Sequence, residues 1–178
     1  MIAYPIETPR LIIRPLAEAD LESFVQYRSD PEIARYQGWD APFSETKARE
    51  LIESQAGIDL PQKGEWLQLA ILLKDSGKHI GDLALHQLDE PDVEFEIGFT
   101  IANRFQRKGF AKEAVAALIE SLVRQLGAKR CIATPDRRNL PSKRLLASLG
   151  FFQRPEKSWD EFFKGENVTV DFFELVHA

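Results

Sequence analysis

The ten residues Asp92 to Ile101, DVEFEIGFTI, alternate without a break. Val93, Phe95, Ile97, Phe99 and Ile101 are apolar; Asp92, Glu94, Glu96, Gly98 and Thr100 are not. Period two predicts a strand with one buried face and one polar face, so Glu94 and Glu96 share a side that is either solvent or the wall of a cleft. The period then changes. From Gly109 onward, Ala111, Ala114, Val115, Leu118, Ile119, Leu122, Val123 and Leu126 fall on one helical stripe. Glu120 and Arg124 pair at i,i+4 away from that stripe, and Gly127 is the stop. A half-buried strand giving way to a long amphipathic helix restricts the chain to folds in which helices cover a sheet.

The remaining segments extend that pattern. LIIRPL, Leu11 to Leu16, reads as a strand closed by Pro15, followed by a helix around Glu18 to Arg28 with Leu21, Phe24 and Val25 on one face. Pro31 to Phe43 is rich in turn formers and aromatics, and Ser44 is an N-cap for a second helix that runs to about Ala56. Trp66 to Leu73 and His79 to Leu88 form a hairpin across Asp75-Ser76-Gly77. Arg130 to Thr134 is a buried strand, and Asn139 to Leu149 a short helix ending at Gly150. Asp160 to Phe163 and Val168 to Val176 are two closing strands. No linker or repeat divides the 178 residues, a length suited to a single domain, and the order of elements predicts an α/β fold with a mixed sheet flanked by helices.

Composition narrows the function. A net charge of −5 and a pI near 5.3 argue against a nucleic-acid partner. No apolar run is long enough to span a bilayer. The start MIAYPIETPRLIIR lacks a secretory pattern, and the lone Cys131 permits no internal disulfide, so a cytoplasmic location with no membrane attachment is expected. Cys131 itself reads as a small core residue. His79, His86 and His177 are not spaced as metal ligands; structural or surface roles are expected for them, and no metal.

Charge is nevertheless clustered where strand meets helix, in FQRKGFAKEA, Phe105 to Ala114. One reading is a turn with solvated charges. The other is an anion site: a helix N-terminus exposes unpaired N–H groups and carries the positive end of the helix dipole, which suits phosphate or pyrophosphate. Gly109 would then let the backbone approach the anion, Ala111 would be small for the same reason, and Gln106, Arg107 and Lys108 would add donors and charge. Neither a Gly-x-x-x-x-Gly-Lys-Ser/Thr cradle nor a Gly-x-Gly-x-x-Gly turn after a strand occurs, so a pyrophosphate ligand other than an NTP or dinucleotide is favoured.

Several stretches in order carry a resemblance: TPRLIIRPL, PEIARYQGW, EIGFTI, FQRKGFAKEA, NLPSKRLLASLGF, DEFFKG and VDFFELV. Together they resemble the GNAT superfamily of acetyl-CoA-dependent N-acetyltransferases, in the branch of RimJ- and RimL-type ribosomal-protein alanine N-acetyltransferases, over roughly Thr8 to Val176. The resemblance implies a GNAT fold: a mostly antiparallel, V-shaped split sheet whose opening receives the pantetheine arm of acetyl-CoA. It implies that the pyrophosphate rests on Gln106, Arg107, Lys108, Gly109, Phe110 and Ala111 with Lys112 adjacent. Thr100 and Ile101 would pair their backbone with pantetheine, Asn139 would contact the cofactor arm, and Ser142 would lie near the thioester sulfur. Where many such enzymes place a tyrosine acid, four residues before the glycine of Leu-Gly-Phe, this chain has Leu146. By the same resemblance Ser142 inherits the acid role.

Glu161, where the family has a glutamate, and Glu96 are the two candidates for accepting the ammonium proton, directly or through water, or for binding the incoming cation; each also reads as an ordinary strand carboxylate. Tyr36, Trp39 and Phe43 read as core or loop anchors, and Trp39 as a residue that helps shape the acceptor cleft. The expected acceptor is a primary amine. A protein N-terminus leads, and a polyamine, amino acid or antibiotic amine is the alternative. A CoA-binding module without turnover is a third reading, motivated by Leu146. Oligomeric state is left open, a homodimer among the options.

Overall fold

The even and odd positions of the sheet face two different helical layers, and the site lies where the sheet between them splits. The structure, a computed structural model, describes residues 2–177. Its strands are β1 (Ile6–Glu7), β2 (Leu11–Pro15), β3 (Trp66–Leu73), β4 (His79–Gln87), β5 (Glu94–Ile101), β6 (Arg130–Ala133), β7 (Phe152–Gln153), β8 (Trp159–Phe163), β9 (Glu166–Val170) and β10 (Phe173–Val176). The helices are α1 (Leu21–Arg28), α2 (Pro31–Ala34), α3 (Glu45–Ser54), α4 (Phe110–Leu126) and α5 (Leu140–Ser148). Eight strands form one sheet in the order β1-β2-β3-β4-β5-β6-β10-β7, and β8 and β9 form a separate two-stranded sheet. Among the described residues no helix is long and apolar enough to cross a membrane.

Alternation sorts the core. Leu67, Leu69 and Ile71 of β3, Leu83 and Leu85 of β4 and Phe95, Ile97 and Ile101 of β5 pack with Ala114, Val115, Leu118, Ile119 and Leu122 of α4. The opposite face, through Ala70 and Leu72, packs with Leu21, Phe24 and Tyr27 of α1 and Ala48 and Ile52 of α3. Ser44 caps α3 by accepting the Lys47 N–H. Cys131 is buried within the first cluster, and burial pushes its thiol up to about 12.

All neighbouring pairs in the large sheet are antiparallel except β5 and β6. These two run parallel and pair only at Glu94↔Arg130, Phe95↔Cys131 and Glu96↔Ile132. The β4 side of β5, in contrast, is paired from Phe95 to Ile101. Beyond Glu96 the sheet therefore splits, and one edge of β5 faces an opening for about 16 Å at ~3.3 Å per residue.

Val168 to Val176, expected as one strand, is two. β9 pairs with β8, whereas β10 enters the large sheet between β6 and β7. The break falls at Asp171, which is fully buried and accepts from Arg137 Nε at 2.9 Å and Lys143 Nζ at 2.5 Å. Its N–H donates to Pro135 O rather than to a neighbouring strand. The short elements β1, α2 and β7 were not anticipated either, since two to four residues carry too little periodicity to register.

On the paired side, the β4–β5 contact leaves no space at Gly81, where a Cβ would come within 2.1 Å of Thr100 O. Gly81→Ala is expected to destabilise the fold by about 1–3 kcal/mol through overpacking. Urea unfolding measures this; an unchanged midpoint would contradict the close approach.

Candidate active site

The loop after β5 builds a concave array of donors before any ligand is considered. Arg107 and Gly109 both have positive φ, +61° and +81°, and Gly109 is the N-cap of α4. This left-handed geometry, costly for arginine, turns successive N–H groups to one side. Among the described residues, the N–H groups of 107 to 112 donate to nothing within the protein; the first closed turn is Glu113 N–H to Gly109 O at 3.1 Å. Six unpaired amides at the positive end of a 17-residue helix make an anion cradle. Arg107, Lys108 and Lys112 are exposed around it.

Gln106 differs from the expectation that it donates beside the anion. Its Nε2 instead donates to Ile101 O at 2.9 Å and Asn103 Oδ1 at 3.0 Å, bracing the loop against the strand it leaves. A second brace, not anticipated from sequence, is Arg10. Its Nη1 donates to Lys108 O at 3.0 Å, its Nε to Glu113 Oε2 at 2.7 Å, and its guanidinium lies 4.5 Å from the centre of the Phe110 ring. Thr8 Oγ1 also donates to Glu113, at 2.6 Å. Burial pushes the Glu113 carboxyl up, but the bonds from Thr8 and Arg10 outweigh it and hold the group below its ordinary range. About a hundred residues separate these partners in the chain, so no local signal could have revealed them.

From the cradle the free edge of β5 leads into the split. Ala102 N–H bonds Ile80 O and Leu88 N–H bonds Glu94 O, so the even residues of β5 direct their backbone groups to β4. Thr100 is thereby committed to β4 and cannot present its backbone to a ligand in the opening, a correction to the expected pairing. Phe99 and Ile101 face the opening, with Ile101 O already accepting from Gln106. On the other bank, Asn139 is the N-cap of α5 and its Oδ1 accepts the Ser142 N–H at 3.3 Å. Ser142 is half-buried, and its Oγ has no partner among the described residues. Leu146, in place of the tyrosine, is buried in the main core.

At the vertex of the split stands Glu96. Thr134 Oγ1 donates to its Oε1 at 2.6 Å, and His86 Nδ1 lies 3.3 Å from its Oε2. The His86 ring stacks on Trp66 with centroids 4.6 Å apart and planes 14° from parallel. Glu94, on the side that could have been solvent or cleft, is half-buried and is the acceptor for Arg130 Nε at 2.9 Å; Arg130 also reaches Glu174. Glu161 is elsewhere: it is exposed on β8 and accepts from Trp159 Nε1 at 2.9 Å. Trp39 packs in the second core, its Nε1 donating to Arg28 O at 3.0 Å and its ring 3.9 Å from the Arg28 guanidinium. The β8–β9 turn approaches it, because Lys164 Nζ donates to Ala34 O at 2.8 Å and to Trp39 O. Among the described residues no cluster of His, Cys, Asp and Glu could hold a metal ion.

Loop geometry depends on the brace, so Arg10→Ala is expected to weaken coenzyme A binding about tenfold, equivalent to ~1.4 kcal/mol. Titration calorimetry checks this, and an unchanged Kd would separate the brace from the cradle. Acid sensitivity follows from the carboxylates. Arg138 lowers Asp136; Asp171 and Glu174 are raised by burial but brought lower overall by Lys143 with Arg137 and by Arg154 with Lys157. Lowered folded values mean that these groups and Glu113 stabilise the fold above the unfolded carboxylate range, and that this contribution is lost as pH falls through the folded values. The urea midpoint should hold from pH 7 to about 5 and decline below about 4; a midpoint that rises on acidification would refute the assignment.

Comparison with known proteins agrees with this architecture. The model of the Acetyltransferase (GNAT) domain matches residues 10–152. An uncharacterized N-acetyltransferase, p20 of Bacillus licheniformis, is 32% identical over 170 residues, covering 95% of this chain and 94% of p20. Among solved structures, the RimL ribosomal L7/L12 alpha-N-protein acetyltransferase in complex with coenzyme A superposes with a TM-score of 0.78 at 16% identity, over 95% of both chains. The spermidine N-acetyltransferase of Vibrio cholerae, in complex with CoA and spermine, does so with a TM-score of 0.79 at 18% identity, over 95% of this chain and 96% of that one. The match of sequence to the domain, together with the split sheet and its amide cradle, shows that the chain belongs to the GNAT family and is an acetyl-CoA-dependent N-acetyltransferase.

Proposed function

We propose that the acceptor is the α-amine of a protein N-terminus, that Glu96 takes its proton, and that Ser142 protonates the leaving thiolate. The observation that carries this reading is the continuous path from six unpaired amides, along the free edge of β5, to a carboxylate at the vertex. The cradle residues 107 to 112 would hold the pyrophosphate, Phe99 and Ile101 N–H groups the pantetheine arm, and the Asn139 amide the same arm from α5. Acetyl-CoA supplies the activated thioester. The neutral amine attacks its carbonyl carbon, the C–N bond forms as C–S breaks, and the excess ammonium proton passes to the Glu96 carboxylate. Ser142 Oγ, half-buried and without a partner among the described residues, is available as the donor to sulfur.

An α-amine suits a site with a single carboxylate at the vertex. With an ordinary pKa near 7.8, roughly one α-amine in seven is neutral at pH 7, against about 0.04% of lysine side chains. RimL, a structural relative, acts on a protein α-amine, whereas the Vibrio cholerae spermidine enzyme represents the small-amine alternative.

Peptides with free and blocked N-termini and a panel of small amines, assayed by thiol release and mass shift, test the proposal. Free N-termini should be acetylated with higher kcat/KM than spermidine, and the reverse order would overturn the acceptor assignment. Glu96→Gln should lower kcat on the order of 10²-fold, the scale of a general base. Ser142→Ala should lower kcat at an unchanged acetyl-CoA KM, and full turnover would remove Ser142 from the reaction.

A further inference from the structure

The rung that crosses the sheet at the vertex holds a second titratable group. Trp66 of β3 pairs with His86 of β4, and His86 with Glu96 of β5, so the three side chains lie on one face. Glu96 and His86 side chains are 19% and 20% exposed, partly withdrawn from water yet reachable. The two Glu96 oxygens are differently engaged: Oε1 accepts the Thr134 hydroxyl, and Oε2 faces His86 Nδ1. Stacking on Trp66 fixes the plane of the imidazole. Among the described residues His86 Nε2 has no hydrogen-bond partner, and it is not buried, so that edge meets solvent.

We propose that His86 is a positioning residue for the acetyl transfer: its Nδ1–H donates to Oε2 and holds Glu96 in one orientation as the carboxylate takes the ammonium proton. This rests on the reading of Glu96 as proton acceptor. The ammonium proton moves to the Glu96 carboxylate and leaves from it to water, so the carboxylate ends as it began and the ring keeps its own protons throughout. Charge is conserved at each step, and no group beyond the acceptor, the two side chains and water is needed. Thr134, donating to Oε1, keeps the carboxylate from rotating away from the ring.

The other groups around His86 leave its Nδ1 to Glu96. Glu94 is on the same face of β5, but its carboxylate is held by Arg130. β3 contributes the neutral Trp66, and the residue that follows α3, the neutral Gln55, donates from Nε2 to Trp66 O at 3.1 Å. Along β4 the same-face neighbours are Ala84 and Asp82, the latter buried and paired with Arg28 and Tyr27.

Two variants test this in the full chain with a peptide acceptor. His86→Ala removes the ring and leaves room over Trp66; His86→Phe keeps a ring on Trp66 without nitrogen. Both should lower kcat about tenfold while the acetyl-CoA KM and coenzyme A Kd stay at wild-type values. Added imidazole should restore kcat, with saturation, in His86→Ala and not in His86→Phe. Wild-type kcat in both variants, or a loss that imidazole does not rescue in His86→Ala, overturns the proposal. If Glu96→Gln is impaired while the His86 variants are not, the positioning role is wrong and the Glu96 reading stands. Wild-type turnover in Glu96→Gln overturns both.

Discussion

Everything at this site depends on where one parallel strand pair stops. β5 and β6 share three registered positions and then separate after Glu96, while β5 remains paired to β4 as far as Ile101. An unpaired strand edge inside a protein leaves backbone donors and acceptors that water or a ligand must satisfy. Here that edge runs from the amide cradle to the vertex, so one geometric event creates both the opening and the place where Glu96 stands. Antiparallel pairing throughout would have closed the channel.

Holding the split open requires ties that do not cross it. On the β5 bank, Arg10 grips Lys108 O and Glu113, and Gln106 ties the loop to Ile101. On the β6 bank, Asp171 gathers Arg137 and Lys143, and Glu174 gathers Arg130, Arg154 and Lys157. Both carboxylates are buried, 0% and 6% exposed. Removing one partner from such a group costs far more than a surface pair contributes, because the remaining charge is left without water. The basic residues on the two banks therefore differ. Among the described residues Arg107, Lys108 and Lys112 make no ion pair at the cradle, whereas Arg130, Arg137, Arg138 and Lys143 are paired with carboxylates.

Local periodicity made much of the fold legible. The strand at Glu94–Ile101, α4 with its Gly127 stop, the β3–β4 hairpin and the Ser44 cap each arise from neighbouring residues whose spacing and conformational preference agree. Val168 to Val176 misled because its apolar pattern continues across the break; the interruption comes from Asp171, whose burial depends on Arg137 and Lys143 more than twenty residues away. Thr100 misled for a related reason. Alternation tells which face a side chain takes, but only the register with β4 tells which neighbour its backbone addresses.

The sequence by itself determined the two periods, the position of the strand-to-helix junction and its glycine, and through ordered motifs the acetyl-CoA chemistry of the family. These are properties of residues close together in the chain. Tertiary structure alone decided that Glu96 rather than Glu161 stands at the vertex, that the Gln106 amide braces the loop against Ile101, and that His86, unremarkable in its own strand, faces a carboxylate across it. Each of these follows from cross-strand register and from where a parallel pair ends, quantities that long-range packing fixes and no short window of sequence contains.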